Sequence, residues 1–346
     1  MKIDFDEGQR EVAAVAASFL GRKLPTSRLR ELAADSDAPA LDDATWSACA
    51  EMGWFGLGIP EAAGGVGLGV IEEAALFIEL GRHLAPGPFL PTVAAAWVCS
   101  AAGATELTAD LLEGRRRAGL VAAEYLLDAA AGDLAVEFSE GRCAVSEVRS
   151  ATPCRSIDPS VRLGWPELGS TVAVFADPLV LPRAQVLVAA MELGIAQAVR
   201  DMSVAYAKTR FQFGVAIGSF QAVKHRCADM TIRAYAAEGQ LMYALCRLER
   251  RAPDSVFHAA STRLVSAKAA AGNAADNVQN HGAIGFTQEH DAGLYSRRAH
   301  VLEFLLGGHA AAGPDVLEVS RHRFDNAPDL PADWWHPAAA PSAGAQ

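Results

Sequence analysis

One stretch gathers the residue types and spacing that could do chemistry. It is Tyr206-Ala207-Lys208-Thr209-Arg210-Phe211-Gln212-Phe213-Gly214, followed by Ile217-Gly218-Ser219-Phe220-Gln221-Ala222-Val223-Lys224-His225. It reads as the end of one helix, a turn that Gly214 and Gly218 permit, and the start of the next helix. Arg210 sits at the junction. Its guanidinium is a planar, permanently charged fork, suited to a phosphate or a carboxylate. Taken alone, such a residue is more plainly a surface arginine paired with an acid.

Long helices must position this turn. Between Pro182 and Lys208 there is no further proline, and Leu187, Ala190, Met191, Gly194, Ile195 and Ala198 recur at helical spacing. Ser219 stands where a cap of the following helix is expected. The chain has 346 residues, enough for two or three domains, and is 51% hydrophobic. Much of that content is alanine and leucine, which favours helix. A net charge of -11 argues against a nucleic-acid partner. Cys49, Cys99, Cys143, Cys154, Cys227 and Cys246 are scattered without a CxxC pair. They read as small buried apolar residues of a reducing compartment, with no metal site. Residues 1–7 lack an apolar signal core, and no apolar run reaches membrane-spanning length. The expectation is a soluble cytoplasmic protein.

The order of textures is helix, then short strands, then helix. Residues 1–117 read as a helical domain, with Asp42 or Asp43 able to cap a helix before Met52. The glycines from Gly53 to Gly69 follow no clear strand, so a GxGxxG nucleotide loop is a weak reading. Residues 118–180 read as a small antiparallel β domain, with short runs such as Leu134–Phe138 and Ser170–Phe175 separated by turns. Trp165, between Gly164 and Pro166, reads as loop. Residues 181–325 return to helix as a bundle, broken at Gly282 and again at Gly307-Gly308. Residues 326–346 are rich in proline and alanine and read as a disordered tail.

With its motifs in this order, the chain resembles the acyl-CoA dehydrogenase family from Asp4 to about Arg321. Three segments carry the resemblance: Met52-Gly53-Trp54-Phe55-Gly56-Leu57-Gly58-Ile59-Pro60-Glu61 with Gly64-Gly65; the Tyr206–His225 stretch with Ala228-Asp229-Met230; and Gln279-Asn280-His281-Gly282-Ala283-Ile284-Gly285-Phe286-Thr287. The resemblance implies a mostly α fold with a small middle β domain and a C-terminal four-helix bundle. It also implies FAD bound at a subunit interface, and removal of two hydrogens from the α and β carbons of an acyl-CoA thioester. In relatives the arginine matching Arg210 reaches the FAD of the neighbouring subunit, where a pyrophosphate offers a charge-assisted contact. Phe213 and Gln221 match residues near the same cofactor. Gln279, Gly282 and Ala283 match a glutamine-glycine-glycine turn along its ADP half, with Ala283 departing from the second glycine.

The resemblance fails where a base is needed. The two positions at which relatives carry the carboxylate that takes the α proton correspond here to Leu306 and Ala184, and neither can accept a proton. The nearest acids are Glu303 and Glu192. Glu303 is close to Leu306 if the helix persists that far, which makes it the fallback base. The strands that face the flavin ring in relatives also lack their usual pattern here. The chain therefore resembles the shorter, base-less subunits of heteromeric acyl-CoA dehydrogenases of actinobacterial steroid side-chain degradation. Those are dimers of heterodimers, so the resemblance implies a second dehydrogenase-like chain. The alternatives are a self-sufficient homomer using Glu303 and a redox-inactive scaffold subunit.

Overall fold

The computed structural model describes residues 4–34, 41–139, 141–308, 312–313 and 316–317. The proline- and alanine-rich tail from 326 to 346 lies outside them. The described chain is mostly α-helical with a small β element between two helical bodies, which is the class the sequence led us to expect.

The first body contains α1 (Glu7–Lys23), α2 (Thr26–Ala34), α3 (Asp43–Glu51), α4 (Val70–Arg82), α5 (Phe89–Ala101) and α6 (Thr105–Leu112). Local chemistry sets several starts. Asp6 accepts the Gln9 N–H while the Gln9 side chain accepts the Asp6 N–H, a reciprocal cap. Of the two acids proposed to cap α3, Asp42 does so, through the Thr45 N–H. Helix α5 is buried on every side from Phe89 to Cys99, as its unbroken apolar sequence requires. Helix α2 has no counterpart in the sequence reading, because its nine residues carry too short a pattern.

The β element is a closed five-stranded barrel of order β1-β2-β5-β4-β3, made of β1 (Ala118–Ala122), β2 (Tyr125–Leu127), β3 (Leu134–Ser139), β4 (Arg142–Cys154) and β5 (Leu163–Ala176). It departs from the antiparallel expectation in one place: β1 and β3 run parallel, and that pair closes the barrel. Trp165 lies on β5, opposite Thr152 of β4, and not in a loop. Pro166, opposite Ala151, lies beyond the stretch of β5 that pairs with β2, which reaches only Gly164.

The second body is a bundle of α7 (Val180–Thr209), α8 (Gln221–Glu249), α9 (Ser255–His281) and α10 (Ala292–Phe304). Helix α7, about 45 Å long, binds the two bodies together. It crosses α4 at a close approach fixed by two glycines. A Cβ on Gly81 would lie 2.0 Å from the Met191 carbonyl oxygen, and one on Gly194 would lie 2.0 Å from that of Ile78. Ser219 does not cap α8; its hydroxyl turns back to the Ala216 carbonyl, and Phe220 is the cap residue. No described helix is long and apolar enough to cross a membrane.

A buried arginine ties all three parts together. From α10, Arg298 pairs with Asp158 at 2.5 Å, donates to Ser160 in the same β4–β5 connection, and donates to the Ala85 carbonyl of the first body at 3.1 Å. Burial pushes the Asp158 carboxyl up, but Arg298 and the Ser160 bonds prevail and hold it below the usual range. Arg298→Met should therefore leave a buried carboxylate unpaired and destabilise the fold by about 3–5 kcal/mol. Removing both charges, with Asp158→Asn added, should recover much of that loss. Urea unfolding midpoints of the two variants check this, and equal losses would show that the pair is not coupled.

Candidate active site and cofactor face

Two sites emerge, one on the outer face of the bundle and one in a cleft beside the barrel. The outward one is built by the hairpin between α7 and α8. Residues Phe211–Gln212 (β6) and Val215–Ala216 (β7) form a two-stranded ribbon with Phe213 and Gly214 at its tip. Phe213 is 92% exposed and holds a left-handed backbone, φ 53°. Arg210 is the residue that ends α7, and it is exposed. Gln221 opens α8 and is exposed as well.

The third sequence segment comes to the same end of the bundle. Tyr206 stacks on His281 with ring centroids 4.2 Å apart. Arg226 of α8 donates to the Asn280 side chain at 2.9 Å. These two contacts set the Arg210 hairpin, the start of α8 and the end of α9 side by side. Gln279 and Ala283 are exposed there. Gly282 ends α9 with φ 65°, a conformation that favours glycine, and a Cβ there would meet nothing within 4 Å. Thus Arg210, Phe213, Gln221, Gln279, Gly282 and Ala283 belong to one region, presented outward, away from the chain's own core. A cation, amide donors and an open backbone turn suit a large anionic dinucleotide.

The second site is a cleft of ≈ 820 Å³ between the barrel, the start of α7 and the end of α10. Apolar side chains such as Leu127, Phe138, Leu163 and Val301 line it, with Ser139, Gln185 and His300 among its few polar groups. Tyr125 also lines it, and the Trp165 ring stands 6.1 Å from the Tyr125 ring. The strands beside the cleft therefore carry an aromatic pair that the sequence had placed partly in a loop.

Both positions at which relatives carry the base are apolar here. Leu306 lines this cleft, and Ala184 is fully buried on α7 next to the lining residue Gln185. Gln185 donates to the Leu306 carbonyl at 3.4 Å, which ties the start of α7 to the turn that carries Leu306. Helix α10 stops at Phe304, and Leu306 takes a left-handed backbone with φ 54° and ψ 42°. The helical spacing that would have set Glu303 beneath Leu306 is lost. Glu303 lies within 3.4 Å of the His300 ring, and of the two only His300 lines the cleft.

Sequence reasoning passed over the group that holds this turn. Arg263 of α9 is fully buried and reaches the carbonyls of Leu302 and Leu305 at 3.0 and 3.3 Å. Its charge is matched by Glu192 of α7, Nη1 to Oε2 at 2.5 Å, also fully buried. Glu192, the acid that the sequence reading weighed for the Ala184 position, is thus committed to the bundle interior. An arginine inside an otherwise small-residue helical face was the only available signal.

The chain resembles known proteins at every level compared. Residues 6–115 match the family model described as acyl-CoA dehydrogenase, N-terminal domain, and residues 179–311 match that for the C-terminal domain. It is 35% identical over 294 residues to acyl-CoA dehydrogenase IpdE2 of Mycobacterium tuberculosis, covering 84% of this chain and 88% of that one. A chain of the ChsE4-ChsE5 complex from Mycobacterium tuberculosis superposes with a TM-score of 0.78 at 22% identity, over 96% of this chain and 100% of that one. A chain of a steroid ACAD superposes with a TM-score of 0.77 at 24% identity, over 92% and 99%. These two structures show the fold.

Burial gives the Glu192–Arg263 pair a measurable signature. Desolvation raises the Glu192 carboxyl to about 7 against the pull of Arg263. Between the unfolded value of 4.5 and about 7, the folded chain holds the extra proton. The Glu192 contribution to stability is therefore present at low pH and lost as pH rises through 7. The stability of the native chain relative to Glu192→Gln should fall across that window, by on the order of 3 kcal/mol. Paired urea titrations at several pH values check this, and parallel pH profiles would refute it.

Proposed function

The chain belongs to the acyl-CoA dehydrogenase family, and we propose that it is the base-less subunit of an FAD-dependent enzyme built from two unlike chains. The observation that carries the proposal is the pairing of an outward cofactor face with an inward cleft that no carboxylate of the described residues lines. Arg210, Gln221 and Gln279 are arranged to be lent to a neighbour. Ala184 and Leu306 cannot take a proton from a substrate held beside them.

In this reading the reaction is α,β-dehydrogenation of an acyl-CoA thioester. FAD, when bound, supplies the acceptor for the hydride that leaves the β carbon. Arg210 would pair with its pyrophosphate across the interface, and Gln279 with the turn at Gly282 and Ala283 would border its ADP half. Gln221 would hydrogen-bond and Phe213 would pack beside it. The α proton goes to a carboxylate of the partner chain.

A second feature supports a partner. Helix α8 runs 29 residues, yet among its first twenty only Met230, Ala234 and Ala237 are buried. Ile232 is 66% exposed and Tyr235 is 77% exposed. With Phe211 and Phe286 nearby in the sequence segments, they leave apolar surface of the kind that an obligate interface covers. The neighbour named as a ChsE4-ChsE5 complex and the steroid ACAD neighbour make a heterotetramer acting on a steroid-derived CoA thioester the finer form of the proposal.

The chain expressed alone should carry little flavin, and coexpression with a base-bearing dehydrogenase-like partner should give a yellow complex. Arg210→Ala in that complex should lower the flavin retained per mole after gel filtration by about tenfold, the loss of a charge-assisted contact on the order of 1.4 kcal/mol. Glu303→Gln should leave turnover unaltered. A yellow, active homomer of this chain would sink the proposal, and loss of turnover in Glu303→Gln would point to the homomer that uses Glu303.

A further inference from the structure

We infer that His281 is a positioning residue of the cofactor face, a neutral ring in contact with Tyr206 and His290 that fixes the Arg210 hairpin against the Gly282 turn and frees it on taking up a proton. The inference rests on the reading of that face as one lent to a flavin, and concerns what keeps its parts in register.

Three rings from three segments touch in series. Tyr206 of α7 stacks on His281 of α9, with centroids 4.2 Å apart and planes 27° apart. The His290 ring, in the connection from α9 to α10, stands 4.4 Å from the His281 ring. His281 is buried, and its Nδ1 lies 2.8 Å from the Asn277 carbonyl one turn back. A carbonyl only accepts, so Nδ1 carries the proton and Nε2 of the neutral ring is bare. The His290 Nδ1 accepts the Ala292 N–H at 3.1 Å, so that nitrogen also carries no proton.

Each ring is tied to a different part of the chain. The Tyr206 carbonyl accepts the Arg210 N–H at 2.8 Å, which closes α7. His281 directly precedes Gly282, whose N–H turns back to the Gln279 and Val278 carbonyls. A Cβ on Gly285 would lie 3.1 Å from the His281 Cβ, so the last glycine of the third motif makes room for this residue. His290 precedes Asp291, which Arg30 and Thr26 of α2 hold at 2.5 and 2.6 Å. The series therefore runs from the first body, through His290 and His281, to the residue that places Arg210.

The contact is built for uncharged rings. Burial holds the His281 imidazole below its usual range; the Asn277 carbonyl opposes this, and the nearby His290 reinforces it. The charged groups on the surrounding elements are engaged with one another. On α8, Arg226 binds Asn280 and Asp276 of α9, and Arg233 binds Asn273 and Asp276. The Cys227 thiol meets the Asn280 amide. Asp291 answers Arg30, and Glu289 is exposed. A proton on either imidazole thus adds a charge beside a second basic ring, while Asp276 and Asp291 already answer arginines. A depressed folded-state value means that the contact contributes fully above 6.5 and weakens as pH falls below it.

The test uses the flavin-loaded complex of this chain with its partner, and reads the flavin dissociation constant from about pH 8 to about pH 5.5 by the fluorescence of released flavin. The native complex should weaken about tenfold across that window. His281→Phe keeps a ring against Tyr206 and cannot take a proton, so its constant should change by less than about twofold. His281→Gln, which keeps a donor for Asn277 and does not titrate, should be equally flat and serves if the phenylalanine variant does not assemble. His281→Ala should bind flavin more weakly at every pH, with most of that loss recovered in His281→Phe. A flat native profile, or the native slope in a non-titrating variant, overturns the inference. Arg210→Ala in the same assay separates the two readings. Weakening there, with the native slope in the His281 variants, overturns this inference alone; native affinity in Arg210→Ala overturns the cofactor face along with it.

Discussion

The wall of the cleft beside the barrel depends on an ion pair that water never reaches. Arg263 and Glu192 are both fully buried, and taking two charges from water costs several kcal/mol each. Their mutual attraction at 2.5 Å offsets part of that cost. The rest of the compensation comes from backbone. At the end of α10 the last carbonyls have no helical partners, and Arg263 supplies donors to them. The pair therefore does for this helix end what a glycine cap or solvent does elsewhere, and it does so in a place closed to water. Remove either partner and the other is left as an uncompensated charge between α7, α9 and α10. The turn at Leu306, the hydrogen bond from Gln185 and the outline of the cleft all follow from that one constraint.

Much of this architecture could be read from the chain, and the parts that could be read share a physical character. The helical segments announce themselves because their apolar residues recur at helical spacing over a dozen residues or more. Arg210, Gln221 and Gln279 could be grouped because they sit in contiguous motifs whose backbone turns need glycine. The vacancies at Ala184 and Leu306 were legible for the same reason, since counting from fixed glycines locates them. What stayed hidden depends on contacts between distant residues. Arg298 and Asp158 are 140 positions apart, and Arg263 and Glu192 are 71 apart. No local pattern marks either pair. Trp165 was placed in a loop because Gly164 and Pro166 flank it, and tertiary pairing with β4 overrode that local signal. Helix α2 was too short to register, and the early end of α10 depends on the buried arginine beneath it.

The two sites differ in how their residues are satisfied, and that difference bears on division of labour between chains. In and behind the cleft the buried polar groups are engaged within the chain: Gln185, which lines it, with Leu306, and in the surrounding core Arg263 with carbonyls and Glu192, and Arg298 with Asp158 and Ser160. On the outward face, Phe213 stands 92% exposed at the ribbon tip. Holding a large aromatic side chain in water on a left-handed backbone is unfavourable for a lone subunit, and becomes favourable when a second surface covers it. The same holds for the bare face of α8. Hydrophobic burial would supply the drive for such an association, and an anion met by the exposed Arg210 would add direction. A chain arranged this way would gain from a neighbour both the cover for its apolar face and the counter-charge for its arginine. The cleft beside its own barrel ends against a turn that buried charges hold, and no carboxylate stands at either base position.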